Sequence, residues 1–169
     1  MQNIDITVFS EDERDIEELT VVLNRAYKQL ADMGMRYVAS HQNSTITRER
    51  IAQARCLVAL DGERIVGTIS FYPPGTKVSC PWYSKSDVAV IGQFGVLPEY
   101  QGSGVGKRLL DAIEQYAREQ DHMHHVALDT AETADHLIAL YTKRGYGFVE
   151  YVDWEATNYR SVIMSKPLR

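Results

Sequence analysis

Residues 101–106 read Gln-Gly-Ser-Gly-Val-Gly, between an apolar run from Val88 to Leu97 and a helical pattern that begins near Val105. Glycines at alternate positions allow backbone conformations that a Cβ forbids, and they let a ligand approach the main chain. Successive N–H groups of such a turn form a concave anion site. The helix that follows adds its unpaired first-turn N–H groups and the positive end of its dipole. The ligand class this implies is phosphate or pyrophosphate. Spacing then separates the phosphate loops. A Walker loop requires Gly in place of Gln101 and Ser or Thr in place of Arg108. A dinucleotide fingerprint requires G-x-G-x-x-G, whereas this chain has G-x-G-x-G followed by Lys107. On these six residues alone, an ordinary Gly-rich turn before a helix stays open as well.

The totals narrow the class. A chain of 169 residues with 44% hydrophobic and 24% charged residues reads as one globular domain, 1–169, with a core of useful size. The net charge of −5 argues against a nucleic-acid-coating surface and suits a cationic amine, although solubility explains it equally. Cys56 and Cys80 show neither zinc spacing nor a disulfide framework. Met1 to Asp5 lack a basic region and an apolar signal core, and no run approaches the length of a membrane span. A cytoplasmic protein is expected, with no membrane and no nucleic-acid partner.

Along the chain, Ile4, Ile6 and Val8 alternate with Asp5 and Thr7 as a half-buried strand does. Ser10 and Glu13 predict a capped helix start, and Ile16, Leu19, Leu23, Ala26, Tyr27 and Leu30 form its apolar stripe, ending near Gly34. Residues 35–45 have no clear period. Thr45 or Thr47 is expected to cap a short helix to about Ala54. Cys56–Leu60 and Arg64–Tyr72 read as a hairpin joined through Asp61-Gly62, stopped by Pro73-Pro74-Gly75. Thr76 to Ser86 is irregular. Its Cys80-Pro81-Trp82-Tyr83 reads as a lid or substrate-side loop, or, for Trp82, as a plug for the core. Cys80 has no activating His or acid and reads as a structural or surface thiol.

Val88–Val96 suits a central strand buried on both faces, and its glycines mark a bulge or a close approach. A helix from about Gly104 to Gln120 buries Val105, Leu109, Ile113 and Tyr116; Asp121 and His122 begin its exit. His125–Thr130 is a strand. His124 and His125 point to opposite faces of it, so the histidines there form no metal set. Thr133 is expected to cap the next helix, in which Leu137, Leu140 and Tyr141 share a face and which Gly145 ends. Gly147–Trp154 and Ser161–Leu168 are the last strands.

The pattern Q-x-x-G-x-G, with Val96-x-Pro98-x-Tyr100 before it and Leu109-Leu110 after it, resembles the acetyl-CoA pyrophosphate loop of the GNAT superfamily of N-acetyltransferases. Leu140-Tyr141-Thr142-Lys143-Arg144-Gly145-Tyr146 is similar to that family's L-Y-x-K-x-G-F segment, with Tyr146 in place of Phe. The element order also looks like the whole fold: strand, two helices, three strands, helix, strand, helix, two strands. The resemblance therefore implies an α/β GNAT fold, a mixed central sheet of about seven strands flanked by about four helices.

It further implies acetyl-CoA as co-substrate, no metal, and an amine acceptor, either a small molecule or a protein amino group. Backbone N–H groups of Phe94, Gly95 and Val96 are expected to meet the acetyl and pantetheine groups. Gln101, Gly102, Ser103, Gly104, Val105, Gly106 and Lys107 are expected to hold the pyrophosphate. Tyr141 is the expected general acid, since a phenol with pKa about 10 is protonated at neutral pH; as a residue of an apolar stripe it also reads as core. Asp129 is a candidate base if strand alternation turns it inward. Glu132, His41, Asp153, Glu155 and an ordered water are alternatives. Gln93 stands near where some members carry Glu and accepts no proton. Ala134 stands where the family often has a cofactor-contacting Asn. Tyr37 and His41 are candidate acceptor contacts or surface-loop residues. Residues 31–47, 73–86 and 153–160 would decide the acceptor. Family members often dimerise, which leaves a homodimer open. The contrasting reading is a non-catalytic acyl-CoA sensor or scaffold.

Overall fold

Alternation and apolar runs set seven strands into one mixed sheet. The computed structural model describes residues 3–120 and 122–168; Met1, Gln2 and the helix exit expected at Asp121 lie outside them. The elements are β1 (Ile4–Val8), α1 (Ile16–Asp32), α2 (Ser44–Ile51), β2 (Arg55–Asp61), β3 (Arg64–Tyr72), β4 (Val88–Val96), α3 (Val105–Arg118), β5 (His125–Ala131), α4 (Asp135–Lys143), β6 (Gly147–Asp153) and β7 (Arg160–Pro167). The sheet order is β1-β2-β3-β4-β5-β7-β6. All neighbours are antiparallel except β4 and β5.

That one parallel pair positions everything that follows. β4 and β5 pair only at Val88–His125, Ala89–Val126 and Val90–Ala127. Beyond Val90 the two strands part, and among the described residues β4 has no ladder partner on that side. On its other side β4 pairs with β3 through a bulge: Ser70 opposes Gly92 and Thr68 opposes Gly95, so β4 carries one residue more than β3 between them. Gln93 sits in this bulge with φ +49. The extra residue bends the strand and increases its twist, which is what the glycines on either side announced.

Helices cover both faces. A Cβ on Gly95 would lie 2.7 Å from the Ala26 Cβ of α1, whereas a Cβ on Gly106 of α3 would meet Phe94 and, at 3.6 Å, Val96. Successive strand residues point to opposite faces, so α1 and α3 pack on opposite sides of β4. The main core lies there, around Leu19, Leu23, Ile65, Ile69, Leu109 and Ile113. A second cluster, including Tyr72, Tyr83, Val88, Val90 and Ile163, forms under the Thr76–Ser86 segment. Cys80 and Tyr83 are buried in it and Trp82 packs against it, so the segment is anchored from beneath.

Four local expectations need correction. Ser10 does not cap α1. It heads a separate turn, with Glu13 and Arg14 N–H on its carbonyl, and Asp15 is the N-cap, its Oδ1 accepting from Glu17 N–H at 2.9 Å. Asn43, not Thr45 or Thr47, caps α2. Thr47 is buried, its hydroxyl bonded to Thr20, Gln42 and the Asn43 carbonyl. Thr133 does not cap α4, whose N-cap is the buried Ala134 without a side-chain bond. In each case several residues with similar capping preference compete, and packing chooses among them. The β2–β3 turn is Gly62-Glu63, because Asp61 still pairs with Arg64; Gly62 has φ +62.

Candidate active site

The splay between β4 and β5 leaves two cavities that share a wall. One, of about 230 Å³, is lined by Phe94, Gly95 and Val96 of β4, Leu137, Leu140 and Tyr141 of α4, and Gln101. The other, of about 290 Å³, is lined by Arg50 of α2, Lys77, Ser79 and Tyr83 before β4, and Trp154, Ala156, Thr157 and Tyr159 between β6 and β7. Tyr27, Tyr37, Phe94, Asp129 and Tyr141 border both. These five residues therefore mark the junction.

Gln101, on the wall of the smaller cavity, is the first residue of the glycine loop. Gly102 and Gly104 have φ +77 and +92, the left-handed region that a Cβ disfavours. Gly104 is the N-cap of α3 and no side chain caps it. The first intrahelical bond runs from Arg108 N–H to the Gly104 carbonyl, so the preceding N–H groups of Gly104, Val105, Gly106 and Lys107 are left for a ligand. The Lys107 ammonium itself is turned along the helix onto Asp111, at 2.7 Å. Ser103 donates its hydroxyl to the Tyr100 carbonyl, and Gln101 Nε2 donates to the Val96 carbonyl at 3.1 Å, tying loop to strand. Leu97 N–H returns to Val66 on β3 at 2.9 Å. Backbone alternation consequently turns the Val96 N–H into the gap.

Tyr141 reaches the junction because of how α4 ends. Gly145 N–H donates to the Thr142 carbonyl and Tyr146 N–H to the Tyr141 carbonyl, with Gly145 at φ +94. This is a Schellman end, which brings the residue after the glycine against the one five positions earlier. The Tyr141 and Tyr146 rings accordingly meet at 5.9 Å. Tyr146 in turn donates to buried Glu114 at 2.8 Å, a carboxylate also bound by Arg144 and Lys166, so the hydroxyl that a Phe would lack is used to fasten α4 to α3. The same end closes α1: Gly34 N–H meets the Ala31 carbonyl and Met35 N–H that of Leu30.

The Tyr141 hydroxyl has no hydrogen-bond partner among the described residues. Burial, then Tyr27, Tyr37 and the Asp129 charge, hold its pKa well above 10.0. Asp129 faces both cavities, so the alternation on which its candidacy depended does turn it inward; its Oδ1 accepts from Tyr83 O–H at 2.7 Å and its Oδ2 from Trp154 N–H at 3.1 Å. Tyr37, which follows α1, fastens to β5, its hydroxyl accepting from Ala131 N–H at 2.8 Å and hydrogen-bonding to Thr130 Oγ1 at 2.5 Å. Asn158 fastens the β6–β7 connection over the same side, donating to the Gly34 carbonyl and accepting from Arg36 N–H.

The other candidate bases are not brought in. Glu132 is paired with Arg160, and His41, Asp153 and Glu155 are exposed and line neither cavity. Gln93 lines the larger cavity with its Oε1 accepting from Gln42 Nε2 at 2.9 Å. Ala134 packs with Leu30, Met35 and Ala131, an apolar site in place of an amide. Residues 31–47, 73–86 and 153–160 do converge on the larger cavity. Sequence reasoning missed Tyr27, read only as core, and Arg50; Tyr83 belonged to the segment read as a substrate-side loop, and Lys77 and Tyr159 lay in acceptor segments without being singled out. No local pattern marks them, since they meet from separate segments. Among the described residues no cluster of His, Cys, Asp or Glu is set to hold a metal ion.

Comparison with known proteins bears on the family and the fold. The family model described as "Acetyltransferase (GNAT) family" matches residues 16–146. An S-(2-succino)cysteine N-acetyltransferase of Bacillus subtilis is 31% identical over 135 residues, 79% of this chain and 79% of its own length. An S-alkylcysteine N-acetyltransferase of the same organism is 25% identical over 160 residues, 91% of this chain and 84% of its own. Among solved structures, an acetyltransferase from Streptococcus agalactiae superposes with a TM-score of 0.73 at 20% identity, covering 99% of this chain and 100% of that one.

Proposed function

The chain belongs to the GNAT acetyltransferase family, and on that premise we propose that residues 1–169 form one domain that moves the acetyl group of acetyl-CoA to the primary amino group of a small molecule. The observation that carries the proposal is the junction: a Tyr141 hydroxyl, without a hydrogen-bond partner among the described residues, between a groove that reaches Gln101 of the glycine loop and a separate side-chain-rich cavity.

The residues present fit the co-substrate. Free N–H groups at the start of α3 suit its pyrophosphate, and the unpaired edge of β4 along Phe94–Val96 suits its pantetheine amides. When bound there, the thioester supplies an activated acetyl group. The chain's own part is then as follows. N–H groups on the β4 edge polarise the carbonyl and stabilise the negative charge that develops on its oxygen. An amine enters through the larger cavity, where Asp129 accepts its proton, directly or through a water. Removing that proton matters, because an ammonium of pKa 10.4 costs roughly 4–5 kcal/mol to neutralise at pH 7. Tyr141 donates its O–H proton to the sulfur as the carbon–sulfur bond breaks, and the proton that the nitrogen sheds on becoming the amide restores the phenol while Asp129 releases the first proton to solvent. The raised pKa of Tyr141 keeps it in the acid form needed for that step. The clamp of Asn158 on Gly34 and Arg36 covers the acceptor side, which favours a small molecule over a folded protein's terminus.

Release of free thiol from acetyl-CoA with an amine panel tests the reading. The panel is headed by S-substituted cysteines, for which the two relatives are named, and includes polyamines and peptides. Amine-dependent release is expected; tight CoA binding with no turnover on any amine would restore the sensor or scaffold. Buried thiols at Cys56 and Cys80 suit the cytoplasm, the compartment we assign. Sedimentation of the same sample reads the homodimer that the family resemblance suggests, which a purely monomeric protein would remove.

A further inference from the structure

Two cations line the acceptor cavity and neither is paired with a carboxylate among the described residues. They stand at one corner, gathered by Tyr72. The Tyr72 hydroxyl donates to the Arg50 carbonyl at 2.6 Å, and the Lys77 ammonium lies 4.3 Å from the centre of the Tyr72 ring. The Arg50 fork is steadied on one side only, where Nη1 donates to Gln42 Oε1 at 2.8 Å. The remaining guanidinium donors are available to an incoming group.

Holding two like charges half-buried beside each other is costly unless something offsets them. Burial and then the nearby Arg50 push the Lys77 pKa down, against a smaller opposing pull from Asp129. Lys77 belongs to a loop and Arg50 to the last turn of α2, and the groups they pack on, Tyr72 and Gln42, carry no charge to offset them. The same cavity carries the opposite charge elsewhere on its wall, at Asp129, which Tyr83 and Trp154 hold in place. A cavity with cations at one corner and a carboxylate facing the junction matches a zwitterion. Planar, two-pronged donors such as guanidinium are suited to carboxylates.

We propose that the acceptor is an α-amino acid, or a derivative that keeps the free α-carboxylate, that Arg50 and Lys77 hold this carboxylate, and that the amino group is thereby turned toward Asp129. The proposal rests on the N-acetyltransferase reading and specifies its acceptor. Tyr37, Leu128, Trp154 and Tyr159 supply the rest of the wall, an apolar and aromatic surface for the amino acid's side chain. Arg50 and Lys77 are specificity-determining residues here; they touch the acceptor's carboxylate and no reacting atom.

The test compares kcat/KM for S-methylcysteine and for S-methylcysteine amide, which keeps the amino group and loses the anionic carboxylate. The unmodified protein is expected to favour the acid by about 100-fold or more, because a site built for a charged, hydrogen-bonded group rejects the analogue that lacks it. Lys77→Met and Arg50→Gln are expected to reduce that ratio by about tenfold each, mainly through KM. Lys77→Arg, which keeps the charge, should retain most of it. Retained affinity for CoA, measured by calorimetry, reports that each variant is folded. Equal turnover of acid and amide by the unmodified protein would overturn the proposal without any variant, while leaving the N-acetyltransferase reading intact. Variants that lower both substrates alike would overturn it too. No turnover of any amine would remove the parent reading and this inference together.

Discussion

Tyr141 gathers the chemistry at the scale of one residue. Its ring is buried, while its hydroxyl opens on the two cavities with no hydrogen-bond partner among the described residues, which leaves it to a ligand. Replacing Tyr141 with Phe removes the proton donor and almost nothing else. We expect kcat to fall about 100-fold or more, with the dissociation constant for acetyl-CoA, measured by calorimetry, changed only a few-fold. An unaltered kcat would take Tyr141 out of the mechanism. The pH profile offers an independent check with a definite sign. Desolvation, the neighbouring phenols of Tyr27 and Tyr37, and the Asp129 charge all raise the Tyr141 pKa above 10.0. A group so raised stays protonated through the whole alkaline range, so kcat should show no loss between pH 7 and 10 that depends on Tyr141. A descending limb in that range that vanishes in Tyr141→Phe would contradict the raised pKa while keeping Tyr141 as the acid.

The end of α4 carries the argument at the scale of an element. The run Tyr141-Thr142-Lys143-Arg144-Gly145-Tyr146 was legible in the sequence because a left-handed helix end makes a local demand that only a few residues meet. Gly145, at φ +94, has nothing but flexible Lys166 within reach of an added Cβ, so the demand is one of backbone and not of space. Gly145→Ala should cost about 1–2 kcal/mol in urea unfolding and also lower kcat, since the Schellman bonds set where Tyr141 points. Gly145→Asn should cost less on both readouts, because Asn visits the left-handed region more readily; equal losses would place the effect elsewhere. The glycine loop before α3 was legible for the same reason. Helix starts were not. Ser10, Asp15, Asn43, Thr45, Thr47 and Thr133 are all acceptable caps by type, and the choice fell to tertiary contacts such as the burial of Thr47 between Thr20 and Gln42. The acceptor cavity was legible only as three unpatterned segments. Arg50, Lys77, Tyr83, Asp129 and Trp154 come together through sheet topology, and no spacing along the chain records that.

At the scale of the whole molecule, the site is a consequence of how the two faces of β4 are filled. Gly95 has no Cβ, and Ala26 of α1 comes as close as that absence allows. α1 therefore lies deep against the bulged half of the strand, and Tyr27, the next residue along, is carried to the junction where it borders both cavities. One step along β4, Phe94 and Val96 meet Gly106 of α3 on the opposite face. The strand is thus packed from both sides beyond its last pair with β5 at Val90, which places helix packing to hold the splay open. Gly95→Ala should then push α1 outward. Overpacking of this kind costs about 1–3 kcal/mol, and displacement of Tyr27 should raise KM for acetyl-CoA along with it. Ala26→Gly removes the opposing methyl but places a glycine inside a helix, at about 1 kcal/mol. If contact between these two positions sets the depth of α1, the double variant should be less destabilised than the sum of the single variants by at least about 1 kcal/mol, and its KM should return toward that of the unmodified protein. Urea unfolding of all four proteins closes the cycle. Additive losses would mean that α1 is held in place by contacts other than the one at Gly95, and the splay would need a different support.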